Sequence, residues 1–270
     1  MVTQPYEAAA TVLADARREH RVLSQLPDAL VPADVAEGYA VQDAFRRLWP
    51  DTIVGWKAGA TAAPVQKRFG VNEPFAGPFY AADTFQAPAR IEARRFAHLC
   101  LESEFAFRFG RTLAARSEPY TRDEVLAAVD ALVPAIEIVG PRFDSLALSG
   151  PVAIADCALD AGFVLGEPVA DWRGYDLPAH KVTLTVDGKV RAQGTGANVL
   201  GDPIAALLWT VRHLGSRAIA IRAGQILSTG TTTGLEYILP EETAVADFGP
   251  LGTVEVRFTD PAHPRAVRPA

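Results

Sequence analysis

The spacing of apolar and polar positions divides the chain into a helical opening and a strand-rich remainder. Over residues 5–26, apolar side chains recur at intervals of three and four within Ala-, Arg- and Glu-rich sequence, which predicts an amphipathic helix. Pro32 stands at a first-turn position, and Val35, Tyr39, Ala40, Ala44 and Leu48 repeat the pattern up to Trp49. Residues 53–57 then read as a short strand. The stretch 61–79, rich in Gly and Pro with a short helix near 65–69, reads as a loop or lid.

Beyond it the period changes from three-and-a-half to two. Between His98 and Arg111, Leu101, Ser103, Phe105, Phe107 and Phe109 share one face of a strand, while Cys100, Glu102, Glu104, Ala106 and Arg108 share the other. Thr121-Arg-Asp-Glu124 has the form of a capping box, predicting a helix through Val133 that Pro134 ends. Residues 135–139 follow as a buried strand, and Asp187–Gly188 between alternating segments predicts a tight hairpin. Asp202–Pro203 is an N-cap and first-turn pair for a helix to Leu214, with Gly215 as its stop. Strands are expected near 219, 225–227, 243–247 and 254–258. Helices first and strands afterwards argue for an α+β fold rather than repeated βαβ units.

Charge and composition narrow the classes of function. The 270 residues are 49% hydrophobic and 21% charged, enough for an ordinary core, so disorder and a fibrous role are excluded. The formal charge is −6, from 26 basic and 32 acidic residues, and no basic block offers a surface for nucleic acid or anionic membrane. No apolar run approaches the roughly 18–20 residues of a spanning helix. The first residues lack the basic and apolar regions of a secretory signal, and Cys100 and Cys157 form neither CxxC nor a disulfide framework. A reducing cytoplasm is the expected location.

The carboxylates carry the candidate chemistry. Glu102 and Glu104 stand two apart on a strand, on one face and about 6.6 Å apart along it. Two carboxylates about 4 Å apart repel by about 4 kcal/mol at an effective dielectric near 20. Buried together they need a proton, a basic side chain or a divalent cation. Opposite three phenylalanines, Glu-x-Glu alone reads first as the wet face of a half-buried strand. Glu137 changes the weighting, because it is the one charge between Pro134 and Gly140, and a charge in such a run is rarely buried without a partner. Three gathered carboxylates without Cys or His at ligand spacing suit a hard cation such as Mg²⁺ or Mn²⁺. Lys57, between Gly55 and Gly59, is either an exposed strand-end lysine or a group that fixes a substrate carboxylate and moves a proton.

Other motifs exclude more than they assert. Gly194–Gly201 has neither GxGxxG spacing nor a Lys-Ser/Thr ending and reads as a strand-to-helix turn. The hydroxyl-rich run from Ser228 to Gly234 either lines a pocket or is only a loop. The five histidines form no metal or catalytic pattern, and no GxSxG is present, which disfavours triad hydrolysis.

Several segments together resemble the 2-keto-4-pentenoate hydratase branch of the fumarylacetoacetate hydrolase superfamily, which includes 4-oxalocrotonate decarboxylases. They are Gly55-Trp-Lys-Ala-Gly-Ala-Thr61, Val65-Gln-Lys-Arg-Phe-Gly-Val-Asn-Glu-Pro74, Leu101-Glu-Ser-Glu104, Pro134-Ala-Ile-Glu-Ile-Val-Gly140, Ile154-Ala-Asp156, Gly194-Thr-Gly-Ala-Asn-Val-Leu-Gly-Asp-Pro203 and Ala223-Gly-Gln-Ile-Leu-Ser228. The resemblance implies a small mixed N-terminal region (1–80) and a C-terminal β-rich catalytic domain (81–270) built as a mixed β-sandwich or roll. It implies Glu102, Glu104 and Glu137 as ligands of Mg²⁺ or Mn²⁺, Lys57 as the active-site lysine, and a mobile lid after Thr61. Asp83 is a second catalytic candidate, one step later than the family's aspartate, at whose position Ala82 stands. Thr61, Cys157, Ser228 and Thr229 are the substrate-binding candidates, although Cys157 replaces a family asparagine and the run 229–234 departs from the usual hydratase loop. The activity implied is that of a metal-dependent lyase, a homo-oligomer, hydrating a small 2-hydroxy-2,4-dienoate or 2-oxo-enoate in aromatic-compound catabolism. The alternatives are decarboxylation of a 2-oxo-diacid and a non-catalytic partner subunit of such a complex.

Overall fold

In the computed structural model, which describes residues 5–116 and 118–260, the helical opening is α1 (Pro5–Arg18) and α2 (Val35–Leu48). Helix α1 ends eight residues before Leu26, where His20 takes a positive φ of 49° that no helix continues through. Helix α2 begins at Asp34, whose side chain accepts the Glu37 N–H. Strand β1 (Ile53–Gly59), α3 (Ala63–Phe69), β2 (Phe75–Tyr80), β3 (Thr84–Gln86), β4 (Ala89–Glu92) and β5 (Cys100–Phe109) follow. All of strand β2 but Tyr80 lies in the stretch 61–79 expected to be loop, and its residues are buried on both faces.

The capping box at Thr121 forms as expected, but its helix, α4 (Arg122–Ala128), is short, and β6 (Val129–Val139) starts where the helix was expected to continue. Pairing along the whole of β5 outweighs the local helical pattern. Pro134 is tolerated because the ladder to the next strand begins only at Ala135. Then come α5 (Gly150–Ala155), β7 (Asp160–Leu165), β8 (Lys181–Val186), β9 (Lys189–Thr195), α6 (Pro203–Ser216), β10 (Ile226–Thr231), β11 (Glu236–Tyr237), β12 (Thr243–Asp247) and β13 (Thr253–Thr259). The β8–β9 hairpin turns at Asp187 and Gly188, both at positive φ. Of the strand expected near 219, an isolated bridge from Ile221 to Leu113 is present.

Two mixed sheets result. The larger runs β2-β1-β10-β5-β6-β7-β3 with β11 paired to β5, and the smaller runs β4-β13-β12-β8-β9. The larger sheet is rolled. Phe79 of β2 and Phe163 of β7 meet at a tilt with ring centroids 4.3 Å apart, although four strands separate β2 from β7 in the sheet. Its outer face, carrying Phe105, Phe107 and Ile136, packs with Leu184, Val254 and Phe248 of the second-sheet region. The inner face points into the roll. Strands β1 and β2 belong to this rolled sheet, although they precede residue 81.

Helices α1 and α2 cover one side of the roll around Phe45, Tyr80 and Phe143. Buried charges are paired along that seam. Arg17 reaches Asp83 at 2.8 Å and Asp160 at 3.3 Å, and Arg142 holds Asp156 at 2.7 Å. No helix among the described residues is long and apolar enough to cross a membrane.

Candidate metal centre

Antiparallel register brings the acidic residues together. Glu102 of β5 is the direct partner of Glu137 of β6, and Glu104 follows two residues along on the same face. That face is not wet: it lines the interior of the roll, so Glu104 and Glu137 are fully buried and Glu102 partly so. One carboxylate oxygen from each lies within 4.8 Å of the others.

Lys57 arrives from a different strand. Strands β1 and β10 are parallel with Lys57 beside Ser228, which in turn pairs with Ala106 of β5. The lysine is 3% exposed, and its Nζ stands 2.8 Å from Glu137 Oε1. The exposed strand-end alternative for this residue is therefore excluded. Burial alone would lower the ammonium's pKa, but Glu137, Glu104 and Glu102 outweigh it and raise it. Burial pushes Glu102 up to about 7, with the Glu137 charge adding to the rise and Lys57 opposing it. Glu104 is raised well above its ordinary value, first by burial and then by its two acidic neighbours.

Glu104 is also held from the other side. Its Oε2 accepts the Ser228 hydroxyl at 2.5 Å and the Gly230 N–H at 3.1 Å. Its Oε1 and the Oε2 of Glu137 are buried without any hydrogen-bond donor. Buried carboxylate oxygens without donors, on glutamates that each bring one oxygen within 4.8 Å of the others, fit a hard divalent cation held by Glu102, Glu104 and Glu137. The layer is bounded by apolar side chains. Phe79, Ala106, Val133, Ala135 and Phe163 close it on one side, while Phe75, Cys100, Val139 and Leu159 stand on the other.

The remaining candidates are placed as follows. Thr61 is buried, its carbonyl accepting the Leu200 N–H at 3.0 Å and its side chain packed on Gly230. Ser228 touches Glu104, whereas the Thr229 hydroxyl is spent on the Phe105 carbonyl at 2.8 Å. Asp83 is not joined to the cluster. It pairs with Arg17 and with Arg95, the latter at 2.7 Å, and these cations outweigh its burial and hold its pKa below the usual value. The Cys157 thiol is buried with Phe45 and Tyr80, which pushes its pKa up to about 12. What Cys157 brings toward the interior is backbone. Cys157, Ala158 and Leu159 all have positive φ, and a Cβ on Gly77, the partner of Lys57, would stand 2.3 Å from the Cys157 carbonyl oxygen.

Sequence reasoning did not assign the Gly230 amide to Glu104 and missed the Arg17–Asp160 pair. Asp160 carried the same signal as Glu137, a single charge opening the apolar run Asp160–Leu165. Gly230 lay within the run Ser228–Gly234, whose hydroxyls and backbone amides were candidates to line a pocket, but its own role depends on an irregularity in β10.

The class that the fold and site define is that of a rolled mixed sheet enclosing three carboxylates, which could hold a metal ion, and a lysine. Residues 55–259 match the model of the fumarylacetoacetate (FAA) hydrolase C-terminal family, and the chain belongs to that family. Among curated proteins it is 31% identical to a 2-keto-4-pentenoate hydratase from Paraburkholderia xenovorans (strain LB400) over 261 residues, 96% of each chain. It is 28% identical to a 4-oxalocrotonate decarboxylase from Pseudomonas putida over 245 residues, 88% of this chain and 89% of that one. Among solved structures, a 4-oxalocrotonate decarboxylase from Pseudomonas putida G7 complexed with magnesium and adipate has the same fold. Its TM-score is 0.86 at 24% identity, covering 94% of this chain and 97% of that one.

Proposed function

We propose that this protein is a divalent-metal-dependent hydratase of a small 2-hydroxy-2,4-dienoate or 2-oxo-enoate. The observation that carries the reading is the buried layer of Glu102, Glu104, Glu137 and Lys57 between two apolar clusters. Hydratase relatives at about 31% identity over nearly the full chain support it. Glu102, Glu104 and Glu137 would hold Mg²⁺ or Mn²⁺, since three oxygen ligands leave coordination positions for substrate and water. The bound cation supplies an electrostatic sink for negative charge developing on the substrate's 2-oxygen.

Lys57 faces the same layer with a compact positive charge. It would orient the substrate carboxylate and deliver a proton to carbon once its contact with Glu137 is loosened. The apolar side chains beyond Glu102 and Glu137 would enclose an uncharged tail and exclude bulk water. Hydratase relatives at 31% identity over 96% of the chain, against 28% over 88% for the decarboxylase, favour water addition to a monoacid over decarboxylation of a diacid.

The test is turnover of 2-hydroxypenta-2,4-dienoate with Mg²⁺, followed by loss of the dienoate absorbance and by carbon dioxide release from 4-oxalocrotonate. EDTA-sensitive hydration without carbon dioxide release supports the hydratase. Carbon dioxide release with no hydration supports the decarboxylase, and activity with neither until a partner protein is added supports the partner subunit. We also infer a cytoplasmic homo-oligomer, in keeping with two buried free thiols. Light scattering of the purified protein gives its mass directly.

A further inference from the structure

We infer that Ser228 and Gly230 form a clamp that leaves Glu104 one oxygen for a cation, so that Ser228 is a positioning residue setting the affinity and ion preference of the centre. The inference rests on the carboxylate cluster being a cation site, as proposed above.

The clamp comes from a bulge in β10. Ser228 pairs with Ala106 and Thr231 with Glu104, so three steps along β10 match two along β5. The extra residue turns the chain so that the Ser228 hydroxyl and the Gly230 N–H converge on one atom, Glu104 Oε2, at 2.5 and 3.1 Å. Gly230 makes this bend at a φ of 102°, where other residues are strained. A Cβ there would also stand 2.3 Å from Thr61 Oγ1. The Thr229 hydroxyl bonds the Phe105 carbonyl, tying the bulge to β5 on its other side.

The consequence is an asymmetric carboxylate. Oε2 has two donors, while Oε1 is buried with none, in a carboxylate that brings an oxygen within 4.8 Å of those of the other two glutamates. A carboxylate fixed in this way offers a single oxygen. Mg²⁺ and Mn²⁺ accept one-oxygen carboxylates in compact octahedral sites, whereas Ca²⁺ takes six to eight oxygens and gains from two-oxygen carboxylates. Holding Oε2 therefore favours the smaller ions, and the hydroxyl gives directional support of the kind that fixes a ligand's geometry.

The experiment is direct titration of the metal-free, full-length protein with Mn²⁺ (electron paramagnetic resonance) and Ca²⁺ (calorimetry), without substrate. Ser228→Ala is expected to weaken Mn²⁺ binding by about 10- to 100-fold and Ca²⁺ binding by clearly less. Thr232→Ala is the structural control: its hydroxyl bonds the carbonyl of Ser103, next to Glu104 on β5, so it should lower the melting temperature and leave both affinities alone. If Ser228→Ala does not fold, Ser228→Thr and Ser228→Val decide, since they match in shape and differ in the hydroxyl; Thr should then bind Mn²⁺ more tightly. Equal Mn²⁺ affinity in Ser228→Ala and wild type, or equal losses for the two ions, overturns the clamp while leaving the proposed function intact. Absence of Mn²⁺ binding by the wild type overturns both.

Discussion

Glu102 and Glu137 are direct register partners on neighbouring strands, two carboxylates face to face inside the roll. Like charges placed so destabilise a sheet. The Glu102 carboxylate alone of the trio has no hydrogen bond or ion pair to another described residue, and burial and the Glu137 charge oppose its ionised form more than the Lys57 charge favours it.

Glu102→Gln should therefore leave the metal-free protein as stable as wild type or more so, by about 0.2–1 kcal/mol. The same variant should lose the stabilisation by metal, which for one site at a hundred times its Kd is about 2.7 kcal/mol. Thermal melts in EDTA and in Mg²⁺ check both signs. A variant that is less stable in EDTA yet still gains fully from Mg²⁺ contradicts the placement of this carboxylate.

Lys57 is the counter-charge of the cluster in the metal-free state. Lys57→Met leaves Glu137 buried without its ion partner, and breaking a buried pair in this way costs about 3–5 kcal/mol. Saturating Mg²⁺ should return part of that loss, while turnover should stay reduced by about 10²–10⁴, the usual worth of a positioned proton-transfer group. Urea denaturation with and without Mg²⁺ measures the first effect, steady-state kinetics the second. Unaltered stability in EDTA would remove Lys57 from the cluster's charge balance.

Much of this centre was legible because charge and apolar periodicity conflict there. Glu137 stands alone in a hydrophobic strand, and the alternation of β5 assigns Glu102 and Glu104 to one face. Whether that face was wet depended on the rolling of the sheet, which brings Phe79 to Phe163 and is not written in any local pattern. The end of α4 was misread for a similar reason, since Val129–Val133 suits a helix locally and a strand once β5 is beside it. The clamp on Glu104 needed a bulge and a positive φ, and the partners of Asp83 lie 66 and 12 residues away. Such contacts follow from tertiary closure, whereas caps and turns, as at Asp202 and Asp187–Gly188, follow from residues in sequence.

Arg17 fastens the helical region to the roll. Its guanidinium joins Asp83, after β2, to Asp160, at the start of β7, and lies over the rings of Trp49 and Tyr80 at 5.4 and 5.1 Å. Arg17→Met should cost about 3–5 kcal/mol, because Asp160 is left buried without its cation. In a double-mutant cycle with Asp83→Asn, the coupling should fall in the range of about 0.5–3 kcal/mol seen for residues in one network. Additive losses would mean that the 2.8 Å contact to Asp83 contributes nothing of its own.

His213 supplies an acid-side sensitivity remote from the carboxylates. It stacks on Trp209 with centroids 4.8 Å apart and tilts against Tyr39 at 4.9 Å, its Nε2 buried without a partner. Burial lowers its pKa to about 4, and the nearby Arg217 charge adds to the fall. The folded value lies below the ordinary 6.5, so the neutral ring is favoured by folding. Its contribution is therefore fully present above pH 6.5 and is lost as the pH falls through about 4. His213→Phe keeps an aromatic ring for the stack and removes the titration. Urea midpoints measured across that window should fall more steeply for wild type than for the variant. Parallel curves would show that the imidazole takes up its proton equally well in the folded and unfolded chains.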